Sequence, residues 1–194
     1  MALALAALAV FVLDYLTKWV ATARLTVTPE SMPVTWGMFV WPGETELALL
    51  AGSPVRRVPV VPGWFDFYLQ HNTGGAFSLL GGYPWIVTVV SLAAMGWIVW
   101  WSRQVPREVV SAHVAFGLVL GGAAGNLLDR VRFGYVVDFL HFYRGDWYWP
   151  TFNIADCGIV VGIAVLVVLS LFTKKMEPHP AVADGGGVEA SHSE

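Results

Sequence analysis

Cysteine is almost missing from this chain: Cys157 is the single one, which excludes an internal disulfide framework and a cysteine-rich zinc site. Charge is scarce as well. Asp, Glu, Lys and Arg make up 13% of the 194 residues, about half the share of a soluble domain. The net charge of −3 offers no basic surface to a nucleic acid. Neither an H-E-x-x-H zinc signature nor a G-x-S-x-G nucleophile turn occurs. No internal repeat is visible, which argues against the inverted-repeat transporter architectures.

What the chain has in place of charge is apolar length. Hydrophobic residues reach 56%, mean hydropathy is +0.61, and a helix needs about 20 apolar residues to cross a bilayer. Four runs qualify: Ala2–Ala23, Pro84–Trp101, Val109–Leu128 and Ile154–Phe172. Trp100 and Trp101 close the second, and Lys174 and Lys175 close the fourth, as suits a membrane–water boundary. Ala21 and Ala23 resemble a secretory cleavage site. Against that, no Lys or Arg precedes the run, and Asp14 and Lys18 lie inside it. Each mid-span charge costs roughly 2.5–3.5 kcal/mol, which a disposable signal has no reason to carry, so the first run is expected to stay as a span.

An even number of spans puts both termini on one side. The turn "SRQVPR" and the tail start "TKK" are rich in Arg and Lys for their length, so the positive-inside rule favours cytoplasmic termini and two exported loops. The first exported loop, 26–83, is broken by Pro and Gly but rich in aromatics. "ETELALLA" suits a short helix, and "WFDFYLQHN" alternates as a strand does. A small strand-rich cap is expected, with Trp36, Trp41 and Trp64 as candidate interface anchors. Gly117, Gly121 and Gly125 recur every four residues in the third span, a flat stripe against which another helix can pack closely. From Glu177 onward, three successive glycines and little to bury predict disorder. The expected fold is thus an all-α membrane protein: a four-transmembrane-helix bundle with a strand-rich extracytoplasmic cap. Residues 1–175 form one domain, and 176–194 are a disordered C-terminal tail.

Polar groups inside spans are rare and usually functional. Asp14 and Lys18, four residues apart, share a helix face and can pair; Lys18 can alternatively snorkel towards the exported surface. Asn126, Asp129 and Arg130 form a polar face where the third span ends, with the Arg130 fork suited to a loop carboxylate or backbone carbonyls. Asn153 and Asp156 resemble a capping box, which explains Asp156 but not Asp138. Val136, Val137, Phe139 and Leu140 surround Asp138, so desolvation should raise its pKa. The aromatic segment from Asp138 to the fourth span is short enough to fold back and bring the two carboxyl groups together. Two such groups sharing a proton are a general acid and a general base at once, the chemistry of an aspartic protease. A structural pair accounts for the same residues equally well. His113 and Cys157 read as buried core residues.

Taken as a set, four blocks resemble lipoprotein signal peptidase (signal peptidase II), a family of membrane aspartic proteases. "DYLTK" carries Asp14 and Lys18; "HNTGGAFSLL" carries Asn72, Gly74, Ala76 and Phe77. "GGAAGNLLDRVRFGYVVDF" carries Gly122, Asn126, Asp129, Arg130 and Asp138; "FNIADCGI" carries Phe152, Asn153, Ala155 and Asp156. The chain departs from the family pattern at Gly75, where the family has alanine, and in a longer loop around 28–60.

The resemblance implies that Asp138 and Asp156 are catalytic. It implies that Asn72, Gly74, Asn126, Arg130, Asn153 and Ala155 bind substrate or hold the dyad, with Asp14, Lys18 and Asp129 supporting the polar core. The implied substrate is a prolipoprotein, cut before a diacylglyceryl-modified cysteine. Water is the nucleophile, with no metal or organic cofactor. The implied setting is a bacterial cytoplasmic membrane, with the site near its outer surface and lipids around a monomer. Two other readings start from the same residues: a proton-coupled transporter with the carboxylates as a relay, and a non-catalytic scaffold whose aromatic loop binds a partner.

Overall fold

The computed structural model describes residues 1–29, 32–73 and 84–172. Within them run α1 (Ala2–Leu25), α2 (Trp36–Val40), α3 (Glu44–Gly52), β1 (Arg57–Val61), β2 (Phe65–Asn72) and α4 (Pro84–Ser102). Then follow α5 (Val110–Phe133), β3 (Val136–Arg144), β4 (Trp147–Tyr148) and α6 (Ile154–Phe172). The helices α1, α4, α5 and α6 are each long and apolar enough to cross a membrane. Gly74 and Gly75, and the tail from 173, fall outside the described residues.

Helix α5 is the axis of the bundle: 56% of its apolar window lies inside the protein, against 17% for α1 and for α6. Its glycines explain the close fit. Gly117, Gly121 and Gly125 face α1, where Leu3, Ala6, Ala7 and Asp14 approach, while Gly122 faces Ala155 and Ile159 of α6. The stripe expected from the sequence is therefore a packing seam. Leu5, Leu8, Leu13 and Leu16 of α1, and Val160, Val161 and Val167 of α6, remain exposed on the outside as a lipid-facing surface.

The third span runs to Phe133, five residues past the apolar run that ends at Leu128. Its last turn is charged, yet Asp129 and Arg132 are buried and joined at 2.6 Å, so the helix keeps its bonds and its burial. Gly134, at φ 77°, ends it in the left-handed conformation that glycine adopts without a Cβ clash.

The cap is larger than the first loop. Its antiparallel sheet has the order β1-β2-β3-β4, so half its strands come from the segment after α5. Gln70 sits opposite Asp138, and Asn72 opposite Val136. "YVVDF" is thus largely a strand, with Val136, Val137 and Phe139 buried around Asp138. The chain turns at Gly145 (φ 60°), and Phe152 pairs back with Leu140 before α6 begins.

The described residues of the long insertion form α2, α3 and most of β1 rather than a plain connector. Phe39 of α2 and Leu50 of α3 are fully buried, in one apolar cluster with Ala21, Leu25, Phe133, Val137 and Phe139. Of the candidate anchors, Trp41 and Trp64 stand largely exposed. Trp36 packs edge-on against Tyr15 and Trp19, with centroids 5.6 and 5.2 Å away.

The seam yields a prediction. A Cβ on Gly125 would lie 2.5 Å from Asp14 Oδ2, and Asp14 is already tied to Lys18 and to the Ala155 N–H. Gly125→Ala should lower stability by about 1–3 kcal/mol, the usual penalty for overpacking. Gly96→Ala, where a Cβ meets nothing within 4 Å, should be neutral or better. Thermal denaturation of both variants in detergent tests the contrast; equal melting temperatures would contradict it.

Candidate active site

Two polar clusters meet at one end of the bundle. The first centres on Lys18, whose side chain is fully enclosed. Its Nζ lies 2.8 Å from Asp14 Oδ2, 2.8 Å from Asp129 Oδ2 and 2.9 Å from Asn126 Oδ1. The expected Asp14–Lys18 pair forms, and Lys18 does not snorkel. The helical spacing explains the meeting: i and i+4 on α1 face Asn126 and Asp129, three apart on α5.

The second cluster gathers around Asn153, the residue before α6. Its side-chain oxygen accepts the Asp156 N–H at 2.9 Å, and its own N–H donates to Asp156 Oδ2 at 3.2 Å. That is the capping box the sequence suggested. The Ala155 N–H, also in the first turn, donates to Asp14 Oδ1 at 2.9 Å, so a carboxylate from α1 caps α6 from outside. Meanwhile Asn153 Nδ2 donates to Asp138 Oδ1 at 2.7 Å, and Asn72 Nδ2 donates to Asp138 Oδ2 at 2.9 Å. One asparagine therefore holds both acids, Asp156 through its backbone and Asp138 through its side chain.

The clusters are joined at several points: besides the Ala155–Asp14 contact, Asn153 Nδ2 donates to Asn126 Oδ1 at 3.1 Å. Lys18 can only donate, so it turns Asn126 Oδ1 towards itself and leaves Asn126 Nδ2 to donate to Asp156 Oδ1 at 2.8 Å. Asp129 accepts from Lys18 and also from the Val137 N–H at 3.2 Å, which fixes the backbone one residue before Asp138. Asp14, Lys18 and Asp129 thus reach both acids through intermediaries.

Asp138 and Asp156 open on a common cavity of about 640 Å³, with Asn72, Asn126, Arg130 and Val160 among its lining residues. Arg130 donates to the Asn126 carbonyl of its own helix at 3.3 Å. Burial, and next to it the charge of Asp156, pushes Asp138 from 3.8 up to about 7, against the hydrogen bonds from Asn72 and Asn153. Val160 is 66% exposed on the outside of the bundle yet lines this cavity. The cavity therefore opens sideways, towards lipid.

Several residues went unremarked in the sequence. Arg132 is buried, salt-bridged to Asp129, and donates to the Phe39 carbonyl at 2.9 Å; its guanidinium also lies over the rings of Tyr15, Phe39 and Phe133. It binds the inserted helix α2 to the polar core. Asp66 and His141 form a buried pair at 2.8 Å. Thr151 donates to Gln70 beside the cavity. Gly74 lies outside the described residues, as do Ala76 and Phe77.

Known proteins share this architecture. The family model for signal peptidase (SPase) II matches residues 6–172. The chain is 41% identical to a lipoprotein signal peptidase of Alteromonas mediterranea over 148 residues, 73% of this chain and 80% of that one. It is 35% identical to a lipoprotein signal peptidase of Xylella fastidiosa strain M12 over 179 residues, 90% of each chain. Among solved structures, a bacterial membrane enzyme determined by the in meso method at 2.3 Å resolution superposes with a TM-score of 0.64. It is 23% identical, with 86% of this chain and 85% of that one covered, and so speaks for the fold alone.

Proposed function

The chain belongs to the signal peptidase II family, and we propose that it removes signal peptides from prolipoproteins as an aspartic endopeptidase, cutting before a diacylglyceryl-modified cysteine. The observation that carries this reading is the pair of carboxyl groups, from β3 and α6, on one laterally open cavity with Asn153 between them. Asp138 is the acid and Asp156 the base. A water gives its proton to the Asp156 carboxylate as its oxygen attacks the scissile carbonyl carbon. Asp138 passes its own proton to the carbonyl oxygen. Collapse of the resulting diol breaks the C–N bond, the amine takes the proton from Asp156, and Asp138 recovers one from the diol.

Asn72, Asn126 and Asn153 hold the two acids at fixed angles, and Arg130 supplies positive charge at the cavity wall. Membrane entry of the substrate suits a site that touches both lipid and water. The bundle sits in a bacterial cytoplasmic membrane with cytoplasmic termini and the cap outside. A proton relay across the bilayer is disfavoured by the distribution of the polar groups. They cluster from the middle of α1 to the end of α5 and the start of α6, and among the described residues the other half of the four spans carries a single ionisable side chain, His113, at the start of α5.

The test is cleavage of a diacylglyceryl-modified precursor against its unlipidated form. Each methylene buried in the cavity mouth contributes about 0.8 kcal/mol, so even two favour the lipidated substrate about tenfold in kcat/KM. Equal rates for the two precursors would refute the substrate assignment.

A further inference from the structure

Beside the catalytic cavity lies a second chamber of about 350 Å³, and we propose that it receives the second to fourth residues of the mature chain and favours an acidic side chain there. The proposal rests on the peptidase reading. Its first support is continuity: Gln70, Tyr148 and Thr151 line both spaces, so the Thr151–Gln70 hydrogen bond marks the seam between them. The second is distance. Along β3, His141 of the second chamber is three residues from Asp138, and a strand rises about 3.3 Å per residue, roughly 10 Å in all. An extended peptide leaving the dyad spans that gap in about three residues.

Direction follows from polarity. The catalytic cavity has an apolar wall of Pro150, Phe152, Ile159 and Val160 that reaches the lipid-facing surface, suited to a signal peptide and its lipid. Among the described residues the second chamber has no aliphatic wall; Tyr68, Tyr143, Gln70 and Thr151 offer hydroxyl and amide groups instead. A polar segment on its way out of the membrane fits that wall.

Charge sets the preference. Asp66 is buried, accepting a hydrogen bond from His141 Nδ1 at 2.8 Å and forming an ion pair with Arg57 at 3.7 Å. Both side chains that meet it line the chamber, whereas Asp66 is not among the lining residues. Arg57 stacks on Tyr68 at 4.4 Å, and its side chain is 53% exposed. The guanidinium keeps donors for a carboxylate in the chamber, and a lysine there would meet a like charge.

The experiment uses two series of lipidated precursors, with Glu or Lys at the second, third or fourth mature position, cleaved by the intact enzyme in micelles. For at least one position the wild type should prefer Glu about fivefold in kcat/KM, the scale of a partly exposed ion pair, and Arg57→Glu should abolish or reverse the order. Equal kcat/KM for the two series at every position overturns the proposal, as does a Glu preference that Arg57→Glu leaves intact. A rate that instead follows anionic lipid content through Arg57, with no peptide preference, also overturns it and assigns the chamber to a lipid headgroup. If the wild type cleaves neither series, the peptidase reading itself fails, a result distinct from cleavage without preference.

Discussion

Replacing Asp138 or Asp156 by asparagine should reduce cleavage of a lipidated precursor by at least about 10³-fold, within the range that a general acid or base contributes. Either change is nearly isosteric. In Asp138→Asn the new side chain keeps an oxygen for the Asn153 or Asn72 amide. In Asp156→Asn it keeps one for the Asn126 amide or the Asn153 N–H. The variants should therefore insert and elute from size exclusion as the wild type does, and the loss will be in kcat. Near-normal turnover by either variant would rule out the shared-proton mechanism. It would also revive the scaffold reading, in which Asp138 is dispensable.

The same acid carries a pH signature. With Asp138 pushed up to about 7, the proton it donates is lost as pH rises through that value, so cleavage should fall above about pH 7. A stability signature runs alongside. Between 3.8 and about 7 the folded chain holds a proton on Asp138 that the unfolded chain has released. Stability from this group is present below the unfolded value and drains away as pH rises through the folded one. Asp138→Asn has no such dependence, so its melting temperature should gain on the wild type from about pH 4 to 7 and then run parallel. A constant difference across that window would show that Asp138 is not held protonated by the fold.

Much of the site could be read along the chain, for a physical reason. Buried charge in a bilayer is expensive enough that Asp14, Lys18, Asp129, Asp138 and Asp156 stand out against their neighbours, and the capping spacing of Asn153 and Asp156 is local. Arg132 is less conspicuous beside Arg130, two residues earlier. Yet helix geometry contains the answer: with Asp129 facing inward, i+3 shares its face and i+1 does not. The strand pattern of β2 likewise sets Asp66, Tyr68, Gln70 and Asn72 apart from Phe65, Phe67 and Leu69. That hints at a polar face, but the partner of Asp66 depends on the register with β3 across two intervening helices. The end of α5 lies beyond its apolar run because such a run measures what burial permits without partners, and the last turn has partners.

Lys18→Met should be the most damaging single change to the fold. The substitution keeps the volume and removes the ammonium that meets Asp14, Asp129 and Asn126 at once. Asp129 retains Arg132, but among the described residues Asp14 is left as a buried carboxylate with only the Ala155 N–H for support. Breaking a buried ion pair from one side typically costs about 3–5 kcal/mol, which for a chain of this length lowers Tm by roughly 10 °C. Adding Asp14→Asn removes the stranded charge and should recover part of that loss. The damage should also reach the chemistry, since Lys18 orients Asn126 towards Asp156 and anchors Asp129, which holds the strand beside Asp138. A Lys18→Met protein with wild-type Tm would mean that the cluster is solvated and that its charges do not depend on one another. A partial recovery of Tm in the double variant, with cleavage still depressed, is the outcome expected if one lysine both holds the helices together and aligns the two acids.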